Sequence, residues 1–447
     1  MLKPQPATCF MRLAALACFT ALAIPAHANG LFIPAEGRVD ALADGRSGIV
    51  YISSDSGEIL RFDLLSNMFL DPVAVGGEPR GLTLSPDGRT LVSADDRIES
   101  DVSNWIHVID TATGTFETIR FDLAFGESGT HTAAFVDDDT LLISSEFSGS
   151  GWVPLRQLTL SSGDVTTLAS VRQRTMLATS ADRSVVAYAE SNISSGEFGL
   201  YDVADGTFNE SGTGAFNFEV GVSRDGAQIA VPSFSGMRLF DPVFNEVGIL
   251  GDSGVELPIG VAYSPVADLL YTAWSGADAS VQVHDVDTLQ QVAVIDEGLG
   301  LDWIGNFPFR EGRLRISGEG ALLTVTMDGG VTVYPVGAAT EPNVLIRPRQ
   351  EINWVSLSRH GTVPVLLLGA PGFFVNQVDE ASLAFGPGGA PVTSSTIADL
   401  NNDGREDLFL RFDVGASGLE LGGTSACVSG TVLATPFAGC DDVRVVP

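Results

Sequence analysis

EPRGLTLSPDGRTLVSAD (78–95) and LPIGVAYSPVADLLYTAW (257–274) are two copies of one pattern, and that repeat decides the fold. Pro79, Gly81, Ser85 and Pro86 of the first fall on Pro258, Gly260, Ser264 and Pro265 of the second. Each copy is a short apolar strand, a tight turn and another apolar strand. Four more stretches share the form: ALADGRSGIVYISS (41–54), AFVDDDTLLISS (134–145), ATSADRSVVAYAE (178–190) and GVSRDGAQIAVPS (221–233). Most are followed by an alternating strand that closes on aspartate: EILRFD at Asp63, WIHVID at Asp110, FGLYD at Asp202, MRLFD at Asp241 and VQVHD at Asp285. RQLTLS, closing on Ser161, is a serine version. An aspartate there can accept from backbone N–H groups just beyond it and start the next turn.

The marks recur about every 40–50 residues, the period of β-propeller blades. Turns at Asp44, Asp87, Asp138, Asp182, Asp225, Ala267 and Glu319 predict seven of them. No stretch sustains the helical period. The last unit, RLRISGEGALLTVTMDGGVTVYPV (313–336), supplies three strands, and LFIPA (31–35) is predicted as its missing outer strand. Such a closure puts both ends of the ring in one blade and leaves no open edge. GLTLSPDGRTLVSAD…WIHVIDTATGTFETI resembles the YVTN-type repeat of bacterial seven-bladed propellers, most closely over 78–120. The resemblance implies the fold and says little of activity, because the broad group includes surface-layer proteins, lactonases and the propeller subunits of quinoprotein dehydrogenases.

The predicted class is therefore all-β: a seven-bladed β-propeller over 29–337, a Gly/Ala/Pro linker at 338–344 and a small C-terminal β-sandwich-like domain over 345–447. Within that last part VPVLLLG, SLAFG, DLFLRFD and VRVVP read as strands. Between two strand-like flanks lies DLNNDGRED (399–407). Counted from Asp399, it offers side-chain oxygens at Asp399, Asn401, Asp403 and Asp407 and a backbone carbonyl at Arg405, five donors at alternate positions, as calcium requires. Gly404 stands where the loop must turn sharply. A full EF-hand would need glutamate where Leu410 stands, so the predicted site is the shorter strand–loop–strand loop, D-x-N-x-D-G-x-x-D. It resembles the loops of integrin-type FG-GAP repeats. The competing reading is an acidic turn without an ion, but Asp399, Asp403, Glu406 and Asp407 would then repel one another. Magnesium suits such a loop poorly. The surrounding residues 344–447 resemble a module found at the C-terminus of many exported bacterial proteins, for which the resemblance implies no activity. Ala434 replaces the first glycine of that module's ending.

Residues 1–28 have a positive start (Lys3, Arg12), an apolar run from Leu13 to Ile24 and an Ala26-His27-Ala28 exit, and predict a cleaved secretory signal. No later run is long enough to span a bilayer. The predicted location is secreted or periplasmic. Lys3 is the sole lysine, so lysine-based Schiff-base chemistry is excluded after cleavage. Loss of Lys3 and Arg12 takes the formal charge from −32 to −34. That field repels nucleic-acid phosphates and anionic lipid and favours cations. Cys427 and Cys440, alone after cleavage, predict a disulfide.

Catalytic signatures are sparse. Gly251-Asp252-Ser253-Gly254 imitates a serine-protease nucleophile loop, but Val255 follows where glycine is needed, so an inter-blade turn is predicted. His107 and His284 sit on equivalent third strands and read as packing residues, while His360 lies in the C-terminal part. His131, opening the innermost strand THTAAF, can face the channel, with Glu78 and Arg80 before the neighbouring inner strand. Those three are what a lactonase-like hydrolase or quinoprotein-like enzyme would use. The leading expectation is non-enzymatic: a scaffold that binds a protein or glycan on a propeller face. Loops 95–105, 146–152 and 189–199 are predicted to share one face, with Trp105 and Trp152 as anchors or blade packing.

Overall fold

The computed structural model describes residues 30–97, 103–251, 256–276, 278–299, 301, 309, 311–348, 350, 352–357 and 361–447. The predicted signal 1–28, His360, residues 252–254 of the protease-like turn and residues 98–102 lie outside them.

The inner strands are short and apolar because each is buried on both sides by its neighbours, and the outer strands alternate because one side meets water. Seven four-stranded antiparallel sheets result, each ordered from the channel outward. Blade 1 runs through Arg38–Asp44, Ile49–Ser54, Glu58–Asp63 and Met68–Val73; its first strand is buried along almost its whole length and its last is mostly exposed. The inner strands of blades 2 to 7 are Pro79–Leu84, Glu127–Phe135, Met176–Thr179, Gly221–Val222, Leu257–Tyr263 and Leu314–Ile316. The ring closes as predicted: Leu31–Pro34 pairs antiparallel with Gly330–Pro335, Leu31 opposite Val333 and Pro34 opposite Gly330. Ile33 of this closing strand is fully buried.

The repeated residues now have physical reasons. A Cβ on Gly260 would stand 1.8 Å from the Gly312 carbonyl of the next blade, and one on Gly81 would stand 3.1 Å from the His131 carbonyl. Glycine is thus required at 260 and closely fitted at 81, where neighbouring inner strands converge on the axis. Ser85 Oγ donates to Asp87 Oδ1 at 2.7 Å and accepts from Thr90 N, closing the turn between first and second strands. Ser180 with Asp182 and Ser223 with Asp225 repeat that turn. The strand-ending aspartates act as predicted: Asp63, Asp110, Asp202 and Asp285 accept from backbone N–H groups two or three residues on. Blade 3 differs, since its third strand is Trp152–Thr159 and Ser161 instead donates to Asp139.

The C-terminal residues form a seven-stranded sheet that curls into a nearly closed barrel, with Trp354–Ser356 and Arg444–Val446 pairing beside it. Cys427 and Cys440 face each other across two strands and are joined in a disulfide. The barrel sits on the face of the ring that carries the first-to-second and third-to-fourth strand turns. Gly372 N donates to Gly45 O, and the side-chain amides of Asn376 and Gln377 both donate to Leu65 O. Its apolar core runs without a break into blades 1 and 7 through Phe373, Phe374, Leu64 and Leu322.

Candidate functional site

Strand direction alternates within a blade, so all second-to-third loops and all blade-to-blade connections emerge on the face opposite the barrel. This loop face holds the charged cluster of interest. Arg80, near the start of its inner strand, donates from Nε to Asp96 Oδ2 at 2.6 Å and from Nη2 to Glu78 Oε2 at 3.0 Å. On the next blade Glu146 accepts from Arg174 Nε at 2.5 Å and lies 3.3 Å from His131 Nδ1. Glu78, Arg80 and His131, singled out from sequence, therefore belong to one mouth, and the fold adds Asp96, Glu146 and Arg174.

The environment sets their charges. Burial lifts the Asp96 carboxyl to about 7, with Glu78 adding to the rise and Arg80 opposing it. Burial holds the His131 imidazole below its ordinary value although Glu146 favours the charged form. Burial would raise Glu146, but His131 and Arg174 outweigh it and keep the carboxylate ionised. His131 is 2 % exposed. The Phe309 ring covers it at a centroid distance of 4.7 Å and extends to Arg313, whose guanidinium lies 5.1 Å from the same ring.

Beneath Phe309 a second ionic group spans the channel. Arg313 of blade 7 donates from Nε to Asp40 of blade 1 at 2.8 Å and from Nη1 to Glu219, just ahead of blade 5's inner strand. Asp40 also accepts from the backbone N–H of Leu82 on blade 2. All three charged side chains are buried, so the group ties distant blades together across the axis. Sequence reading missed it. The signal was present: Arg313 and Arg315 alternate along one inner strand, so both point inward.

Aromatic side chains ring the same face. Phe125 is 97 % and Trp152 54 % exposed. Phe147 packs against Gly126 and Gly151, the residues next to them in the chain, and Ser148 N donates to Gly126 O. Phe216, Phe218 and Phe234 form another group over blade 5, with centroids 4.9–5.9 Å apart. Trp105 does not anchor a partner: it is buried, with its Nε1 on Ser103 and Arg120 over its ring. His107 is a core residue, 2.8 Å from Asp95 and 2.9 Å from Thr118, and His284 is likewise buried.

The DLNNDGRED loop joins strands Ala390–Ala398 and Asp407–Asp413. Gly404 takes the left-handed φ of +87° that the turn needs. Asp399 accepts from Gly404 N, Asn401 from Asp403 N and Asp403 from Arg405 N. Asp407 is fully buried and accepts from Gly369 N and Leu400 N. Arg405 donates to the Arg46 carbonyl on the turn face of blade 1. Among the described residues no three His, Cys, Asp or Glu side chains stand together as a metal-holding group.

No protein-family model and no curated protein matches the chain. Solved structures do. The Kuenenia stuttgartiensis hydrazine synthase aligns at 14 % identity and TM-score 0.52, covering 68 % of this chain and 97 % of that one. The Myceliophteria thermophila Cps50 (Swd1) β-propeller domain aligns at 12 % and 0.51, covering 68 % and 99 %. At such identities the likeness establishes the propeller fold alone. No helix among the described residues is long and apolar enough to cross a membrane.

Proposed function

We propose that the protein is an exported binding propeller that holds a protein or glycan ligand on its loop face. The observation that carries this reading is the exposed aromatic rim, Phe125 and Trp152 over blade 3 and Phe234 over blade 5, around a mouth whose charges are already paired. Flat, rigid aromatic surfaces contribute binding area at low entropic cost, and ion pairs at a rim favour selectivity. The barrel occupies the other face and leaves this one free. Export is supported by the leader-like sequence of residues 1–28 and by the Cys427–Cys440 disulfide. The test is a glycan array and a panel of purified envelope proteins probed with the full chain and with a Phe125→Ser/Trp152→Ala variant. The variant is expected to melt like the wild type and to lose at least about tenfold in affinity, or about 1.4 kcal/mol. Undiminished binding would place the ligand elsewhere.

The convergence of His131, Glu146 and Arg80 favours one rival, a hydrolase with His131 as base. Wild-type turnover of lactone or aryl-ester substrates that disappears in His131→Gln would establish it. Turnover unchanged by that substitution would remove it.

A structural calcium ion in the 399–407 loop completes the proposal. In-register donors, the left-handed Gly404 and the buried Asp407 support it. Asp399 and Asp403 must rotate from their backbone donors towards a common centre to close the cage. Calcium is therefore expected to raise the melting temperature of the chelator-treated protein, and Asp403→Ala to abolish the rise. Identical melts with EDTA and with calcium would exclude the site.

A further inference from the structure

The channel is divided by the Arg313–Asp40–Glu219 group, and its lower half opens on the turn face as a cavity of about 480 Å³. All seven inner strands line it, with Leu42, Leu84, Leu177, Val222, Val261 and Leu314 as its apolar wall. At the deep end stands Arg315, two residues below Arg313 on the same strand. Arg313 engages both nearby acids, Asp40 and Glu219. Arg315 donates one N–H to the Leu82 carbonyl and makes no ion pair among the described residues. Its guanidinium carries five N–H donors and does not lose its charge. At the mouth, Arg183 donates to the Phe135 carbonyl without an ion-pair partner among the described residues, and Arg46 pairs with Glu319 at 2.7 Å. Two arginines without an ion-pair partner among the described residues thus mark a cavity of mixed polarity, whose lining also holds Asp44, Glu219 and Glu319, in a chain of formal charge −32. The volume is that of a small-molecule site, and a guanidinium in low dielectric recognises a carboxylate by two parallel hydrogen bonds.

We propose that this cavity binds a small organic acid, its apolar body against the inner-strand walls and its carboxylate on Arg315, admitted from the turn face beside the barrel. Nothing at the loop-face site contributes to it. The barrel shapes its rim, because Arg405 and Gly372 hydrogen-bond the carbonyls of Arg46 and Gly45. Octanoate is a suitable probe, with octanol and octylamine as neutral and cationic controls, titrated calorimetrically into the full chain. Octanoate is expected to bind saturably and to raise the melting temperature, and the two controls to do neither. Arg315→Gln should weaken octanoate at least about tenfold while keeping the wild-type circular dichroism. Equal affinity in Arg315→Gln, equal binding of octylamine, or no saturable octanoate binding below about 10 mM would each overturn the proposal. Should Arg315→Gln misfold, Leu84→Trp decides the matter. It fills the cavity from a partly exposed wall position and leaves Arg315 in place, so unchanged octanoate affinity there would also refute the site.

Discussion

The two faces of the ring are built on opposite principles. The turn face is repetitive: Ser85/Asp87, Ser180/Asp182 and Ser223/Asp225 place the same hydroxyl–carboxylate contact at 2.7–2.8 Å in three blades. Among the described residues the loop face shows no such repeated contact. Arg80 with Asp96, Glu146 with Arg174 and the exposed Phe125 and Trp152 each occur once among the described residues. Repetition is what the ring needs, since every blade must present the same wedge to its neighbours. Divergence is affordable only where chain ends a strand and is not required to pack, and recognition surfaces arise there.

The largest expected effect tests whether the channel charges belong to the structural half of this contrast. Arg313→Met removes the partner of two buried carboxylates and should cost about 3–5 kcal/mol. Urea melts followed by tryptophan fluorescence measure it, and a loss below about 1 kcal/mol would show that water reaches Asp40 and Glu219 freely. A smaller, pH-dependent effect separates the loop-face cluster from the turns. The folded-state Asp96 value, about 7, lies above the ordinary carboxylate value near 4. The folded protein therefore holds that proton more tightly than the unfolded chain. Stability from this group is highest below pH about 4 and falls as pH rises through about 7. Asp96→Asn should abolish that part of the decline, seen as a wild-type-minus-variant difference in urea midpoint that changes between pH 5 and pH 8. A difference independent of pH would mean that Asp96 titrates normally. The smallest effect probes repetition itself. Asp182→Ala and Asp225→Ala each remove equivalent turn hydrogen bonds and should cost about 1 kcal/mol apiece, equal within error. Clearly unequal costs would break the idea that turn positions are interchangeable.

How far this could be read in advance differs by region. Gly81, Gly260, the turn aspartates and the strand-ending aspartates announce themselves because each acts on its own backbone or on the adjacent blade. The closing strand LFIPA was legible by subtraction, as the last unit lacked its fourth strand. Glu78, Arg80 and His131 could be named because Glu78 immediately precedes one inner strand and Arg80 and His131 lie on that strand and the next. Asp96 and Glu146 lie at the ends of second strands and no motif marks them, and the Glu146–Arg174 contact joins two blades, so these residues could not be named. Trp105 and Trp152 look alike in sequence and each has an arginine over its ring, Arg120 and Arg172, but they part company in burial: Trp105 is buried and Trp152 is half exposed.

By itself the sequence determined the strand–turn period, the number of blades and the place of closure, because those depend on contacts between residues close in the chain or one repeat apart. Only the tertiary structure decided which charges meet across the axis, which aromatics remain bare and where a cavity survives beneath Arg313. Those outcomes come from bringing residues such as Asp40, Glu219 and Arg313 together around a closed ring, and no local pattern carries that geometry.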